Sequence, residues 1–182
     1  MALDKDVRTL LTETKAGDKI TESADYQTVF HEMEKIAAAD SDNIQAVWLG
    51  DIDANVLTQS DGFTSDSSFE ITERTWYRAV ETNSTILTSA YVDASTGNLI
   101  LSAAAPVYDE NGKNIIGVAG ADIALDHIDE KLQAYKIGNN GFVILVTSDG
   151  TIIYHPNSDN QLKNLSELNV SDSVMKAIQS QN

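Results

Sequence analysis

The stretch from residue 73 to residue 125 carries the kinds of side chain that can hold a small zwitterion. Among its cations is Arg74, whose planar guanidinium matches the two oxygens of a carboxylate. Two of its carboxylates, Asp93 and Asp122, can accept hydrogen bonds from an ammonium group. The stretch also carries the aromatic side chains of Trp76, Tyr77 and Tyr91. Because aromatic faces attract cations and exclude water, such a set binds and orients a ligand, and we assign no catalytic residue since no nucleophile stands beside a general base.

The strand pattern brings several of these residues to common faces. Tyr91 and Asp93 are two positions apart, so they point to the same side of a strand. The same rule places Val118, Gly120 and Asp122 on one face, where Gly120 would leave room beside Asp122 for a ligand. An inward-facing Asp122 needs a positive partner, because burying an unpaired carboxylate is costly, and a bound ammonium would supply one.

Hydrophobic periodicity predicts the elements that position these residues. Apolar residues recur at helical spacing over 4–15 and 26–39, and a short helix that holds Trp76 is predicted after Thr72. Strands are predicted at 44–50, 55–58, 85–91, 98–107 and 114–125. A connecting helix over 126–136 is followed by the start of a second strand set. That set has two strands, predicted at 142–147 and 151–155. The chain is therefore of the α+β class.

Composition and charge exclude several functions. The chain has 182 residues, 42% of them hydrophobic and 22% charged, which is typical of a soluble globular protein. The net charge of -16 repels nucleic acid and anionic membrane surfaces, so neither is an expected partner. The absence of cysteine excludes disulfides and thiol chemistry. With no signal peptide at Met1 and no apolar run of the ~20 residues that span a bilayer, we expect a cytosolic protein or an excised fragment.

The order of elements resembles that of the double Cache (dCache) family. Its members are PAS-like extracytoplasmic sensor domains of chemoreceptors and sensor histidine kinases. The best-marked stretches are Trp76 with Tyr77, APVYDENG at 105–112 and GVAGADI at 117–123. The resemblance implies a PAS-like antiparallel five-stranded sheet with flanking helices, followed by a second, incomplete PAS-like module. It also implies three segments. These are a trimmed N-terminal helix and linker at 1–25, a membrane-distal ligand-binding module at 26–132, and the start of a membrane-proximal module at 133–182.

A subset of this family senses amino acids through a Tyr, Arg-x-Trp-Tyr, Tyr-x-Asp and distant Asp pattern. The residues that match it are Arg74, Trp76, Tyr77, Tyr91, Asp93 and Asp122. By resemblance, the first two meet the ligand's carboxylate, the last three meet its amine, and Tyr77 helps to form the wall. The leading Tyr of the family pattern falls on Phe69, which removes a hydroxyl group from the carboxylate side of the site.

The resemblance implies the extracytoplasmic sensor domain of a transmembrane receptor, either a methyl-accepting chemotaxis protein or a sensor histidine kinase, that binds a small amino acid. The full-length receptor would be membrane-anchored, and the fragment would form at most a weak homodimer. We expect neither a cofactor nor a bound metal ion. Two alternatives remain open: a Cache sensor for another small ligand, such as an amine or a carboxylate, and an enzyme.

One acidic segment invites a metal hypothesis, because Asp51, Asp53 and Asn55 follow each other at alternate positions. An EF-hand loop needs glycine at its sixth position and glutamate at its twelfth, and here these are Val56 and Gly62. The segment is therefore interpreted as a solvated hairpin turn.

Overall fold

A computed structural model describes the protein at residues 2–66, 68–125, 132, 135, 137–138, 141–147, 150–168 and 170–179. The chain forms two compact units. The first comprises Met1–Thr88 and Ile100–Ala124, and the second comprises Ser89–Leu99 and Leu125–Asn182. The helix predicted over 126–136 lies almost wholly outside the described residues. The functional division into three segments stays a prediction, because compactness does not assign a function to a unit.

The strands are β1 (Ile44–Asp51), β2 (Val56–Gln59), β3 (Ile86–Leu87), β4 (Tyr91–Val92), β5 (Leu99–Tyr108), β6 (Ile115–Ala124), β7 (Leu145–Val146) and β8 (Ile152–Tyr154). The α-helices in the described residues are α1 (Ala2–Glu13), α2 (Tyr26–Ala39), α3 (Arg78–Glu81) and α4 (Asp172–Gln179). The mixture of helices with antiparallel strands confirms the predicted α+β class. None of the described helices is both long enough and apolar enough to cross a bilayer.

An antiparallel sheet with strand order β2-β1-β6-β5-β3 forms the centre of the first unit. This order confirms the prediction that the five strands between residues 44 and 125 belong to one sheet. The third of them, predicted at 85–91, is interrupted and forms the two short strands β3 and β4.

The register of the central strands decides which side chains meet. Trp48 in β1 pairs with Gly120 in β6, and Ala46 pairs with Asp122. On the other side of β6, Ser102 in β5 also pairs with Asp122. Because directly paired residues point to the same side of an antiparallel sheet, these five residues share one face, called the site face below.

The opposite face of the sheet packs against α1 and α2. Their shared core consists of Leu10, Ile20, Tyr26, Val29, Met33 and Leu49. Gly117 in β6 lets α1 approach closely, since a Cβ there would lie 2.6 Å from Leu11 Cδ1 and 2.6 Å from the carbonyl oxygen of Gly50. The predicted helix over 26–39 is thus confirmed, and it covers the face that does not carry Asp122.

The segment between β2 and β3 supplies the aromatic residues of the site face. Two single 3₁₀ turns, Ile71–Glu73 and Thr75–Tyr77, lead into α3. These turns match the short helix predicted after Thr72. Trp76 is buried in the second turn, whereas Arg74 stands between the two turns in extended backbone geometry.

The second unit has its own small core. Strands β7 and β8 pair antiparallel, and β8 is buried along its length together with Leu165. They correspond in shortened form to the strands predicted at 142–147 and 151–155. Within the described residues, β7 and β8 are the strands of this unit that pair with each other, and the incompleteness of the second module stays a prediction.

Candidate functional site

Asp122 is the buried carboxylate of the site face, with 3% of its surface exposed. The indole N–H of Trp48 donates to Asp122 Oδ1 at 2.8 Å, and the Ser102 hydroxyl donates to the same oxygen at 2.5 Å. The two donors come from β1 and β5, the strands that flank β6, so the sheet itself orients the carboxylate. Both donors are neutral. They stabilise the carboxylate by hydrogen bonding but bring no positive charge to it.

The space in front of Gly120 is filled by Trp48. A Cβ on residue 120 would lie 2.2 Å from Trp48 Cζ2, far inside any van der Waals contact. The expectation that Gly120 leaves room for a ligand is therefore wrong, because the missing side chain makes room for an indole. Trp48 itself was not identified as a site residue from the sequence, since its position opposite Gly120 depends on the strand register.

Trp76 continues the same aromatic layer. Its ring centroid lies 4.6 Å from that of Trp48, with the ring planes tilted by 40°. Gly50 is needed beside it, because a Cβ there would lie 3.2 Å from Trp76 Cη2. The two indoles thus occupy the part of the site face that two glycines leave clear.

Arg74, two residues before Trp76, is the candidate cation of the site. Its guanidinium carbon lies 3.9 Å from the centroid of the Phe69 ring, a cation–π contact. Its Nε is buried and has no hydrogen-bond partner among the described residues. A buried N–H without an acceptor is costly, so an anion that accepted from this group would be bound favourably.

Phe69 and Tyr77 lie on either side of Arg74 in the sequence, and both are half-buried. Phe69 serves as the platform under the guanidinium, which gives the position of the expected Tyr a definite function in this chain. The backbone N–H of Tyr77 donates to the Arg74 carbonyl oxygen at 2.9 Å and closes the second 3₁₀ turn. Both residues therefore support the position of Arg74.

Tyr91 and Asp93 belong to the second unit, where Tyr91 is half-buried in β4 and Asp93 is buried. The hydroxyl groups of Ser95 and Thr96 each donate to Asp93 Oδ2 at 2.6 Å, and the Thr96 N–H donates to it at 3.0 Å. Burial raises the pKa of Asp93, but these hydrogen bonds outweigh burial and leave its pKa below the ordinary value. Asp93 thus organises its own turn, and the amine-binding role of Tyr91 and Asp93 stays a prediction.

The family model dCache_1, a Cache domain, matches residues 4–181. The chain belongs to the Cache domain family. This membership confirms the resemblance found in its sequence and the PAS-like fold that the resemblance implies.

Relatives of this Cache domain include two chemotaxis receptors. The methyl-accepting chemotaxis protein PscA of Pseudomonas syringae pv. tomato is 34% identical over 128 residues, which are 70% of this chain and 20% of PscA. McpC of Bacillus subtilis is 30% identical over 148 residues, 80% of this chain and 22% of McpC. The Cache domain therefore corresponds to only about a fifth of these proteins.

Two solved structures are similar to this Cache domain. The ligand-binding domain of the Pseudomonas fluorescens chemoreceptor CtaA in complex with L-valine has a TM-score of 0.62 and 26% identity, covering 91% of this chain and 68% of that one. The ligand-binding domain of the Pseudomonas aeruginosa amino acid chemoreceptor PctB in complex with L-Arg has a TM-score of 0.63 and 23% identity, covering 91% of this chain and 64% of that one. At its lower identity, PctB shows the shared fold alone.

Another buried carboxylate of this Cache domain lies away from the site face. Asp51 ends β1 opposite Gly117, on the face that α1 covers, and it is fully buried. Its Oδ1 accepts from the Ala54 N–H at 2.9 Å, whereas Oδ2 has no hydrogen-bond partner in the described part of the chain. Burial raises the pKa of Asp51 to about 6. The segment is a hairpin turn as predicted, but its first carboxylate is buried rather than solvated.

No group of three His, Asp or Glu side chains that could hold a metal ion occurs among the residues that the structure describes. The first unit instead combines Arg74 and Asp122 with two indoles. These groups lie along a line of contacts, because Trp76, two residues after Arg74, packs on Trp48, and Trp48 donates to Asp122.

Proposed function

We propose that this Cache domain is the extracytoplasmic ligand-binding part of a transmembrane chemotaxis receptor, and that its first unit binds a small amino acid. The observation that carries the proposal is the presence, in one unit, of a buried guanidinium N–H that has no acceptor among the described residues and of a buried carboxylate, Asp122, that the sheet orients. The names of the relatives, which are chemotaxis receptors, support the receptor assignment.

Arg74 is the group that receives the ligand's carboxylate. Phe69 covers one face of the guanidinium, so the N–H groups at its edge stay directed towards an in-plane acceptor. A carboxylate that accepts from Nε and from a terminal nitrogen makes the bidentate pair that a lysine cannot reproduce. The half-buried position of Arg74 limits competition from water and strengthens this pair.

Asp122 is the group that receives the ligand's ammonium. A buried carboxylate is stabilised most by a positive charge at short range, and a ligand's ammonium group would bring one to Asp122. The combined requirement for an anion and a cation selects zwitterions over simple amines or simple carboxylates.

A thermal-shift screen of the standard amino acids on the isolated Cache domain tests this proposal. We expect at least one small amino acid to raise the melting temperature of the wild type. Losing one member of a buried charged pair costs roughly 2–5 kcal/mol, on the order of thirtyfold or more in affinity. Arg74→Ala and Asp122→Asn should therefore remove the response.

Two matched controls share the chemistry of these substitutions but lie at exposed positions. Arg78→Ala removes a guanidinium from α3, and Asp53→Asn neutralises a carboxylate in the β1–β2 turn. Both controls should keep the wild-type response. If no amino acid stabilises the wild type, the proposal fails. If an amine alone stabilises it and Arg74→Ala still responds, the ligand is an amine without a carboxylate.

A further inference from the structure

We infer that Trp48 is the specificity-determining residue of this site and restricts it to ligands with small side chains, an inference that rests on the proposed function. Trp48 is the side chain that connects the two charged ends of the site. Its N–H donates to Asp122, and its ring packs on Trp76, two residues beyond Arg74. A ligand held by Arg74 and Asp122 therefore lies along this indole.

The Trp48 indole is held from three directions. Gly120 lies directly under its six-membered ring, Trp76 lies against it at 4.6 Å between ring centroids, and Asp122 accepts from its nitrogen. It is 1% exposed, so no alternative position is open to it without displacing a neighbour. Close-packed groups of this kind respond to added volume as a rigid wall.

The site face carries small side chains next to Trp48. Ala46 stands beside Trp48 on β1, and Ser102 and Ala104 face Asp122 and Gly120 from β5. These side chains are small, so the two indoles provide the bulk on this part of the site face. The width available to a ligand side chain is consequently set by Trp48 and by Trp76 behind it.

Trp48 also orients the Asp122 carboxylate through its N–H. This effect on ligand affinity must be separated from the steric limit that the indole sets on the ligand side chain. Ser102 donates to the same oxygen as Trp48 but adds almost no bulk. Ser102→Ala therefore removes one donor and keeps the wall, whereas Trp48→Leu removes one donor and the wall together. The difference between these two variants reports the steric contribution alone.

Isothermal titration calorimetry of the Cache domain with L-alanine and L-leucine tests the inference. The wild type should bind L-alanine more tightly, and the alanine-to-leucine affinity ratio should fall about tenfold or more in Trp48→Leu. The ratio should fall in the same direction in Trp48→Phe, a milder variant that decides the question if Trp48→Leu does not fold. In Ser102→Ala both affinities should weaken by a common factor and leave the ratio within about twofold of the wild type.

Each other outcome has a distinct meaning. A wild type that binds neither amino acid overturns the proposed function, and the inference with it. A wild type that binds both equally well, or an unchanged ratio in a folded Trp48 variant, overturns the inference and leaves the proposed function standing. A ratio that falls as far in Ser102→Ala as in Trp48→Leu also overturns it, because the wall is then not the cause.

Discussion

Trp48 and Gly120 face each other across β1 and β6, and the indole occupies the place of any side chain that residue 120 would carry. This relationship converts an open strand face into a packed aromatic layer beside Asp122. It also makes the geometry of the candidate site sensitive to a single methyl group.

Gly120→Ala should destabilise the domain by about 1–3 kcal/mol, the usual cost of overpacking a core. The added Cβ would lie 2.2 Å from Trp48 Cζ2. Urea unfolding at equilibrium measures the loss. In a Trp48→Leu background, Gly120→Ala should cost much less than in the wild type, because the obstructing ring is gone.

Gly117→Ala is the matched control for this double variant. Its Cβ would lie 2.6 Å from the Gly50 carbonyl oxygen and 2.6 Å from Leu11 Cδ1, on the helix-covered face. It should destabilise the domain too, but by the same amount in the Trp48→Leu background as in the wild type. An equal reduction of both costs in that background would contradict the assigned packing.

Asp51 should make the domain less stable as the pH rises. Its pKa in the folded state, about 6, lies above the ordinary value of 3.8, so the folded state binds this proton more tightly than the unfolded state. The stabilisation is therefore complete at pH values below 3.8 and is lost as the pH rises through 6. The cause is the ionisation of a fully buried carboxyl group whose Oδ2 has no described partner.

Asp51→Asn should remove this pH dependence, because an amide does not ionise and can still accept from Ala54. The unfolding free energy of the variant relative to the wild type should increase by roughly 2–3 kcal/mol between pH 4 and pH 8. Urea unfolding across this range measures the change. Asp53→Asn, at an exposed position of the same turn, should behave like the wild type, and a parallel profile for Asp51→Asn would be evidence against a raised pKa.

Asp93→Ala should loosen the turn that follows β4. The substitution removes the acceptor for Ser95 and Thr96, whose bonds lower the pKa of Asp93. The contribution of Asp93 is present above the ordinary pKa and is lost as the pH falls through the lowered value. Native-state hydrogen exchange should show faster exchange at the Thr96 amide, by about five- to thirtyfold for a loss of 1–2 kcal/mol.

The comparison for Asp93 is Asp109, which accepts from the backbone of Lys113 in another turn. Asp109→Ala should speed exchange at Lys113 and leave Thr96 unchanged. Unchanged exchange at Thr96 in Asp93→Ala would show that the turn does not depend on this carboxylate.

Phe69→Leu should weaken amino acid binding by about two- to fivefold, the effect of losing a cation–π contact worth ~0.5–1 kcal/mol. The leucine keeps apolar volume under Arg74 but removes the ring that lies 3.9 Å from its guanidinium. Calorimetric titration with the best ligand of the screen measures the change. Phe63→Leu, a half-buried phenylalanine in the loop after β2, should bind like the wild type.

Sequence patterns could predict much of this fold, because strand alternation and helical spacing are local properties. They place Trp76 on a short helical segment and Asp122 on an inward strand face, as the structure has them, whereas Arg74 lies in extended backbone between two 3₁₀ turns. The aromatic layer escaped prediction because it depends on contacts such as that between Trp48 and Asp122, which are 74 positions apart. Without the β1–β6 register, nothing in either segment shows that Gly120 receives an indole.

The burial of Asp51 and the hydrogen-bonded turn at Asp93 also differ from what was expected, and they have separate causes. The burial of Asp51 comes from α1 covering the end of β1, a tertiary effect that a local turn pattern does not contain. The turn at Asp93 had a local signal, because Asp followed by Ser, Thr and Gly is typical of side-chain-to-backbone turns. The family pattern instead predicts an amine-binding role for the same residue, Asp93.

The central claim is that Arg74 and the ligand's carboxylate interact directly. A thermodynamic cycle that changes Arg74 in the protein and the carboxylate in the ligand measures this interaction. L-alaninamide keeps the amine of L-alanine but replaces its carboxylate by a neutral amide. Calorimetry should show that the wild type binds L-alanine on the order of thirtyfold more tightly than L-alaninamide. In Arg74→Ala the two ligands should bind with affinities within about threefold of each other, because the partner of the carboxylate is gone. An undiminished preference for L-alanine in Arg74→Ala would contradict the account.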